Sequence, residues 1–375
     1  MNRTQIQTPD FASVYKGKII LITGSVGTVG SELLKQILEY DPAQVRLVDN
    51  YESGLFMQMQ AHGNGAKLIP VLGDVRDLGK LQSVMESVDV VFHLAAYKHV
   101  CLSESNPFDS VRTNVIGTQN VLKAALSAKV GRVLYTSSDK AVNPTNVMGT
   151  SKLLAERVVT AANAQCHNGN RNHIFSSTRF GNVLGSNGSV VPVFAEQIRH
   201  GGPVTVTDIR MTRFVMTVEE AARLVIKGAA IAFGGEVFVT KMPVVHILDL
   251  ARAMIEVLVP VYGYRPKDVS IDYIGARPGE KLYEELMSDE ETARALELQD
   301  MFAVLPALRN HNGMRTYNYP CMVSDKVDKP YISRDEKTMS IDEITDFLLA
   351  NNILGKEITS TYTHDKELRL KTLAV

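Results

Sequence analysis

One segment constrains the fold more than any other: an unbroken apolar run that leads directly into a glycine-rich turn. Residues 18–23 read Lys-Ile-Ile-Leu-Ile-Thr, which is typical of a parallel strand buried on both faces. Gly24, Gly27 and Gly30 follow at once, and apolar residues then recur at helical spacing over 31–40. A strand, a turn and a helix in this order predict an α/β unit whose turn brings backbone amides close to an anionic group.

Four more short apolar runs follow, and segments of helix length separate them. The runs cover residues 45–49, 67–72, 88–93 and 132–136, and helices are expected at about 75–87, 106–128 and 149–165. Beyond Thr178 the pattern is less regular, and further helices interrupted by loops are expected around 217–233, 246–258 and 280–300. We therefore predict an α/β protein with a doubly wound parallel Rossmann sheet and a smaller, interwoven C-terminal substrate lobe.

The glycine turn predicts a dinucleotide site, because free amides and the positive end of a helix dipole would meet a pyrophosphate. Asp49 closes the second strand, 19 residues after Gly30, where a carboxylate can accept hydrogen bonds from ribose hydroxyls. This favours NAD over NADP. A glycine triad alone is a weak signal, and Asp49 could instead cap the following turn. Further candidate cofactor contacts are Thr28, Val29, Asp74, Val75, Ala95 and Ala96, of which the two alanines could equally be packing residues.

Six blocks in order along residues 17–290 carry a more specific resemblance. They are the glycine turn through Glu32, Ala95–Val100, Ser137–Lys152, Arg179–Ser186, Met211–Phe214 and Arg277–Lys281. In these blocks the chain resembles the extended short-chain dehydrogenases/reductases, and more narrowly the UDP-N-acetylglucosamine 4,6-dehydratases of bacterial glycan biosynthesis. The resemblance implies that NAD takes a hydride from carbon 4 of a UDP-N-acetylhexosamine and returns it to carbon 6 after water leaves. It also implies a homo-oligomer that pairs through the helices near 106–128 and 149–165.

The resemblance assigns catalytic roles to the block at 137–152. Lys140 would take the carbon 5 proton, Asp139 would protonate the carbon 6 hydroxyl, Ser138 would hydrogen-bond the oxygen at carbon 4, and Lys152 would bind the nicotinamide ribose. Lys140 must be neutral to act as a base, which a dry pocket and the nearby charge of Lys152 would favour. Taken without the flanking blocks, adjacent Asp and Lys residues are more often part of a solvated turn.

Met148 departs from the superfamily pattern, which normally places tyrosine four residues before the lysine as the carbon 4 base. A thioether cannot accept that proton productively. Two interpretations stay open: an inactive site, or an active one as in the branch of the family that also carries methionine here. In the second case Asp139 is the candidate carbon 4 base, acting through substrate hydroxyls or water. Methionine tilts the expectation only slightly toward retention at carbon 5.

Candidate substrate-binding residues lie in both halves of the chain. They are Lys98, His99, Asn182, Ser189, Val190, Arg213, Arg277 and Glu280. Exposed amides of the loop at 185–192 suit a diphosphate and uracil, the arginines suit phosphate oxygens, and Glu280 suits ribose hydroxyls. Surface ion pairs for the arginines and a core position for His99 stay open as alternatives.

Composition excludes several other classes of function. The 40 Lys and Arg residues balance 41 Asp and Glu residues, so no overall field favours nucleic acid or an anionic membrane. The three cysteines, Cys101, Cys166 and Cys321, have no paired spacing, so neither a disulfide framework nor a zinc site is expected. No apolar run approaches the ~20 residues of a membrane span, and we expect a cytoplasmic protein.

The expected domains are a mainly NAD-binding domain over 1–178, a mainly nucleotide-sugar-binding lobe over 179–308 and a C-terminal appendage over 309–375. A 4,6-dehydratase is the leading functional hypothesis. A UDP-sugar 4-epimerase on the same fold and a catalytically silent nucleotide-sugar-binding protein are the alternatives.

Overall fold

The structure is a computed structural model that describes residues 11–63, 67–167, 173–186, 188–275, 279–307 and 317–373. The chain forms two compact units that alternate along the sequence. The first unit runs up to Phe180 and also includes Glu219–Lys241 and Glu285–Tyr331. The second unit comprises Gly181–Val218, Met242–Glu284 and the residues from Ile332 onward.

The strands are β1 (Ile19–Thr23), β2 (Gln44–Asp49), β3 (Leu68–Leu72), β4 (Val90–His93), β5 (Arg132–Ser138), β6 (Ile174–Phe180), β7 (Asn182–Val183), β8 (Val204–Val206), β9 (Thr212–Met216), β10 (Val237–Thr240), β11 (Val244–His246), β12 (Ile271–Tyr273), β13 (Glu285–Met287), β14 (Ala295–Leu298), β15 (Met301–Val304), β16 (Met322–Ser324) and β17 (Tyr331–Ile332). The α-helices are α1 (Ala12–Tyr15), α2 (Thr28–Leu38), α3 (Glu52–His62), α4 (Leu78–Val84), α5 (Val100–Ser105), α6 (Pro107–Ser110), α7 (Gly117–Ser127), α8 (Val147–His167), α9 (Val190–Arg199), α10 (Val218–Ile231), α11 (Ile247–Val261), α12 (Asp289–Thr292), α13 (Ile341–Ala350) and α14 (Lys356–Leu373). A π-helical segment covers Val111–Ile116, and 3-10 turns cover Asp139–Ala141, Pro266–Asp268 and Ser333–Asp335.

One large sheet organises the first unit. Its strand order is β16-β14-β15-β10-β6-β5-β4-β1-β2-β3. The strands from β3 to β10 in that order pair in parallel, and β15, β14 and β16 extend the sheet with antiparallel pairs. The strand order reverses beside β1, so a crevice is expected at the carboxyl ends of β1 and β4. The predicted doubly wound parallel sheet is confirmed.

Both faces of this sheet are buried at its centre, which explains the unbroken apolar sequence of the central strands. Leu21 of β1 packs in one core cluster, whereas Ile20 and Ile22 pack in the cluster on the opposite face. Phe92 and Leu134 from the neighbouring strands join the second cluster. Because alternate side chains of a strand point to opposite faces of the sheet, each short apolar run contributes residues to both cores.

The second unit has its own core. The small sheet β11-β9-β7 and the parallel pair β8 and β12 belong to it. Helices α9, α11 and α13 contribute apolar side chains such as Phe194, Leu258 and Leu348, which are almost fully buried in one cluster.

The prediction of a helix around 280–300 is wrong. The structure has β13, the four-residue helix α12 and β14 in this segment. Ala295 and Leu298 of β14 are buried, and β14 pairs with β15, so sheet pairing prevails over a helical pattern here. No helix was predicted for the glycine- and serine-rich segment at 185–205, but the structure has α9 there.

Candidate active site

The glycine turn joins β1 to α2 and is closely packed against neighbouring backbone. Gly24 has a φ of +69°, and a Cβ atom there would lie 2.8 Å from the amide nitrogen of Ala95. A Cβ atom on Gly30 would collide with the carbonyl oxygen of Gly24. Gly27 is the N-cap of α2, so no side chain covers the first amides of the helix at Thr28 and Val29. This cradle fits a pyrophosphate group.

Asp49 bridges the glycine turn and the loop after β2. Its Oδ2 atom accepts a hydrogen bond from the Val26 amide at 3.0 Å, and its Oδ1 atom accepts one from the Tyr51 amide at 3.1 Å. The carboxylate therefore makes the turn-capping contacts that were weighed as an alternative. Each carboxylate oxygen has further acceptor capacity, so a ribose contact is compatible with these bonds.

Asp74 is engaged with a neighbouring arginine. Arg76 donates to its two oxygens from Nε at 2.9 Å and Nη2 at 2.6 Å, and these bonds hold the pKa of Asp74 below its ordinary value. Val75 is buried and lies against Gly117, where a Cβ atom would come within 2.7 Å of its Cγ2 atom. The cofactor contact predicted for Asp74 stays a prediction.

His93, which the sequence predictions missed, connects the ends of β1 and β4. Its Nδ1 atom lies 2.7 Å from Thr23 Oγ1, and its Nε2 atom lies 3.0 Å from Thr118 Oγ1. Thr118 donates its own proton to the Asn114 carbonyl, so we assign the histidine proton to Nε2. Thr23 Oγ1 also accepts from the Ala95 amide at 3.3 Å. Burial lowers the pKa of His93 to about 3, so the ring is neutral.

Asn114, also missed, fixes the loop that carries Ala96, Lys98 and His99. Its Oδ1 atom accepts from the Tyr97 amide at 2.8 Å, and its Nδ2 atom donates to the Tyr97 carbonyl at 3.0 Å. The same Nδ2 atom lies 2.9 Å from Ser151 Oγ on α8. Asn114 sits in the π-helical segment, a feature that often marks functional sites.

The residues predicted to be catalytic come together at the end of β5. Ser138 Oγ donates to Asp139 Oδ1 at 2.5 Å, and Lys140 Nζ lies 3.1 and 3.3 Å from the two carboxylate oxygens. The Lys140 amide donates to the same Oδ1 atom at 2.9 Å. Asp139 is almost fully buried, whereas the side chain of Lys140 is about a quarter exposed. The structure thus forms a buried acid, a basic amine and a hydroxyl within one turn.

Helix α8 places Met148 and Lys152 four residues apart and buries both. Lys152 Nζ donates to the Thr136 carbonyl at 3.0 Å and lies 5.0 Å from the centroid of the Tyr135 ring. Burial lowers the pKa of Lys152 to about 8, although Glu156 opposes the shift. The helix lies close to the turn that contains Ser138, Asp139 and Lys140, because a Cβ atom on Gly149 would collide with the Lys140 carbonyl.

Arg179 is the centre of a buried ion network that sequence reasoning did not predict. Its guanidinium makes two hydrogen bonds to Glu156, at 2.8 and 2.7 Å, and two to Glu291, at 2.8 and 2.9 Å. A fifth bond goes to the Leu286 carbonyl at 3.1 Å. All five guanidinium protons are therefore used. Glu156 lies one helical turn beyond Lys152 on α8, so the network supports the helix that carries Lys152.

The second unit contains the predicted nucleotide-binding residues. Asn182 lies in β7 opposite Val215 of β9. Ser189 is the N-cap of α9, which begins at Val190, and the loop before it contains Gly185 at a φ of +75°. The hydroxyl of Ser189 is buried and has no hydrogen-bond partner within the described part of the chain. A helix N-terminus with an unpaired hydroxyl is compatible with an anion site.

Arg213, which was predicted to bind phosphate, already donates hydrogen bonds to backbone carbonyls of the protein. Its Nη1 atom donates to the Thr212 carbonyl at 2.8 Å, and its Nη2 atom donates to the Lys281 carbonyl at 2.8 Å. Its Nε atom lies 3.5 Å from Glu284, and Nη2 lies 3.9 Å from Glu280. The arginine therefore fixes the segment that carries Glu280. The predicted Arg277 lies outside the described residues.

Comparison with known proteins gives the family. A family model described as "Polysaccharide biosynthesis protein" matches residues 20–306. The chain belongs to this family. A protein of Methanocaldococcus jannaschii named as an uncharacterized membrane protein is 50% identical over 79% of this chain and 88% of its own length. A UDP-N-acetylglucosamine 4,6-dehydratase (inverting) of Campylobacter jejuni is 37% identical over 79% of this chain and 85% of its own length.

Other matches differ in length or in named activity. A UDP-glucose 4-epimerase of Rickettsia canadensis is 34% identical over 92% of this chain and 99% of its own length. This chain spans only 46% of CapD of Staphylococcus aureus, a capsular polysaccharide biosynthesis protein that is 43% identical. Among solved structures, Pen from Bacillus thuringiensis is 39% identical with a TM-score of 0.83, covering 90% of this chain and 99% of that chain.

These matches place the chain among the nucleotide-sugar dehydratases and epimerases of the extended short-chain dehydrogenase/reductase type. In the described parts of the chain, no helix is long and apolar enough to cross a membrane. The same described residues contain no group of three or more His, Cys, Asp or Glu side chains that could hold a metal ion.

Proposed function

We propose that this protein is an NAD-dependent nucleotide-sugar 4,6-dehydratase. It would convert UDP-N-acetylglucosamine to a UDP-4-keto-6-deoxy-N-acetylhexosamine, with loss of water and no net oxidation. The observation that carries the proposal is the buried Asp139 carboxylate with Lys140 Nζ at 3.1 Å. Dehydration needs an acid for the leaving hydroxyl and a base for the neighbouring carbon, and this pair offers both. The Campylobacter jejuni relative supports the substrate class.

The first unit offers groups for each part of the cofactor. The amides of the glycine turn would hold the pyrophosphate, Asp49 the adenosine ribose and Lys152 the nicotinamide ribose. Arg46 donates to the carbonyls of Val84 and Glu86, at 2.7 and 2.8 Å, so its charge is engaged away from a ribose phosphate. This supports NAD over NADP. Bound NAD would supply the hydride acceptor at carbon 4 and the donor at carbon 6.

The ion pair between Asp139 and Lys140 stabilises the charged ammonium, which cannot act as a base. Lys140 must therefore lose a proton before it can remove the proton on carbon 5. Because the active form has the neutral amine, we expect the rate of dehydration to rise with pH until Lys140 is deprotonated.

The epimerase remains a second candidate because the Rickettsia canadensis relative with that name matches almost the whole chain. Epimerisation at carbon 4 needs no base at carbon 5. A lysine placed against a buried carboxylate therefore has a function in dehydration that it lacks in epimerisation. Methionine at position 148, where epimerases normally use tyrosine, also argues for the dehydratase.

The direct test is to incubate the protein and NAD with UDP-N-acetylglucosamine in heavy water and follow the sugar by NMR and mass spectrometry. Loss of one water, with deuterium at carbon 5, is the expected result. Lys140→Met should abolish both changes. Lys67→Met is the matched control, since Lys67 also pairs with an aspartate, Asp41, at 2.6 Å but lies on the surface. A carbon 4 epimer without loss of water would favour the second candidate, and unchanged sugar would refute both.

We also propose that the protein forms a homo-oligomer. Leu102, Phe108, Val111, Ile116 and Leu154 are large apolar residues that are 42–80% exposed on α5, α6, the π-helical segment and α8. Apolar surface of this kind commonly marks an interface. Sedimentation of Phe108→Asp should show a smaller assembly than the wild type, and an unchanged mass would contradict the assignment of this surface.

A further inference from the structure

We infer that the C-terminal segment over residues 332–354 holds the predicted nucleotide-binding parts of the second unit in place. Its two contact residues, Ser333 and Ile353, are positioning residues, which act on the sugar nucleotide through the segments that they touch. This role rests on the proposed function, because the nucleotide half of the substrate is the ligand whose binding depends on it. The segment lies beyond residues 20–306, so the match to the family model assigns it no role.

Ser333 connects the two segments that surround Arg213. It is fully buried, and its Oγ atom accepts a hydrogen bond from the Glu284 amide at 2.9 Å and lies 2.8 Å from Thr212 Oγ1. Its own amide donates to the Glu284 carbonyl at 2.9 Å. Thr212 directly precedes Arg213, and the Glu284 carboxylate lies 3.5 Å from the Nε atom of Arg213. One serine therefore fixes both segments that hold this guanidinium.

Ile353, near the other end of the C-terminal segment, lies against the loop that precedes α9. A Cβ atom on Gly185 would lie 3.5 Å from the Cγ2 atom of Ile353 and 3.8 Å from its carbonyl oxygen. Gly185 has a φ of +75°, which favours glycine, so Ile353 packs directly against loop backbone. Leu184 and Val190, on either side of this loop, belong to the same apolar cluster as Ile353. The isoleucine therefore supports the loop that carries the Ser189 hydroxyl.

Between these two contacts, the C-terminal segment is attached to the rest of the second unit. Thr338 forms a parallel bridge with Val244 of β11, and the Met339 amide donates to the Val244 carbonyl at 2.8 Å. Helix α13 follows, and its residues Ile344 and Leu348 are 1% and 0% exposed in the core cluster of this unit. The two contact residues thus belong to one continuously packed segment.

Donors that bind a diphosphate are most effective when they are already in place, because ordering a loop on binding costs free energy. Ser333 provides this order around Arg213, and Ile353 provides it for the loop before α9. Both act within the second unit, whereas the glycine turn and β5 belong to the first unit. Loss of either contact should therefore weaken binding of the nucleotide and raise KM, and should leave NAD binding and kcat unchanged.

Calorimetric titration of the full chain with UDP, and separately with NAD, tests this role. Ser333→Ala should weaken UDP binding about 10-fold, because the Glu284 amide and the Thr212 hydroxyl lose a buried partner. Ile353→Ala should weaken UDP binding by a similar factor. Ile353→Val should recover most of the affinity, since valine keeps the Cγ2 methyl that faces Gly185. With UDP-N-acetylglucosamine as substrate, KM should rise in parallel with the loss of UDP affinity, at a kcat close to that of the wild type.

Ile344→Ala is the matched control. It removes the same atoms as Ile353→Ala from the same apolar cluster, at a position nine residues earlier in the chain. Because Ile344 is the more deeply buried of the two, its loss should lower the free energy of unfolding at least as much. At a temperature where all variants are folded, Ile344→Ala should nevertheless bind UDP like the wild type.

Wild-type affinity for UDP in both Ser333→Ala and Ile353→Ala would overturn the positioning role. An equal loss of affinity in Ile344→Ala would also overturn it, because binding would then follow overall stability. A wild-type protein that binds UDP and shows the expected losses, but does not dehydrate UDP-N-acetylglucosamine, would overturn the proposed function and support the positioning role. A wild-type protein that binds no UDP would overturn both.

Discussion

Replacing Arg179 with methionine should destabilise the first unit by about 3–5 kcal/mol, because two buried carboxylates would lose their cation. Arg179 is 1% exposed, Glu156 is 1% exposed and Glu291 is 5% exposed. Each glutamate receives two hydrogen bonds of 2.7–2.9 Å from the guanidinium. Methionine is similar in length but donates nothing, so the full cost of leaving these charges buried should appear in the free energy of unfolding.

The loss should depend on pH in a definite direction. Burial tends to raise the pKa of Glu291, but Arg179 outweighs it and holds the pKa below its ordinary value. A carboxyl group whose folded pKa is lowered stabilises the fold above its unfolded pKa, and this contribution is lost as the pH falls. In the variant, the Glu291 carboxyl group can be protonated more easily. The difference in stability between wild type and Arg179→Met should therefore be largest near neutral pH and shrink below pH ~5.

Urea unfolding at several pH values, with amide exchange of the β6 segment Ile174–Phe180 as a local readout, measures this effect. Arg199→Met is the control, since Arg199 also pairs with a glutamate, Glu196, but on the surface, and it should leave stability unchanged. Adding Glu156→Gln and Glu291→Gln to Arg179→Met should recover part of the loss. A loss below about 1 kcal/mol for Arg179→Met would refute the reasoning, because the network would then be worth no more than a surface pair.

Three further predictions concern the cofactor cradle and its supports. Burial lowers the pKa of Lys152 from 10.5 to about 8, so the charged ammonium destabilises the folded protein at pH 8 and below. This cost is lost as the pH rises from 8 to 10.5. Over that range the free energy of unfolding of the wild type in urea should therefore rise by up to ~3 kcal/mol relative to that of Lys152→Met. Gly30→Ala should abolish NAD binding measured by calorimetry, because the new methyl meets the Gly24 carbonyl, whereas Gly79→Ala on α4 should bind normally. Asn114→Ala should raise the KM for the sugar nucleotide more than it lowers kcat, because it frees the loop that carries Lys98; an unchanged KM would contradict this role.

The sequence predicted the parts of the fold that depend on local signals. Each of the first five strands is a short apolar run, and each was predicted within two residues of its observed ends. The segment at 280–300 failed because β14 exists through its pairing with β15, and no short-range pattern reports that partner. Helix α9 was missed because the glycines and serines before it hide its start, although its apolar face is regular.

In the candidate site too, the sequence predicted residues that are adjacent in the chain and missed residues whose partners are distant in the chain. Ser138, Asp139 and Lys140 are consecutive in the chain, so a sequence motif is enough to predict that they lie together. His93 and Asn114 could not be predicted so easily, because their partners lie elsewhere in the chain: Thr23 is 70 residues before His93, and Ser151 is 37 residues after Asn114. A polar residue within an apolar strand, as at His93, is the one sequence signal that could have indicated a buried network.

Arg213 shows why residue type is a limited guide to binding. The sequence indicates a cation that suits phosphate, but the structure shows how many of its protons are already used. Nη1 donates to the Thr212 carbonyl, Nη2 donates to the Lys281 carbonyl, and Nε lies near the Glu284 carboxylate. A phosphate would have to share these donors or displace them. Loss of nucleotide binding in Arg213→Lys would therefore follow from a loosened segment around Glu280 as readily as from a lost phosphate contact, and only the stability of the second unit in that variant separates the two causes.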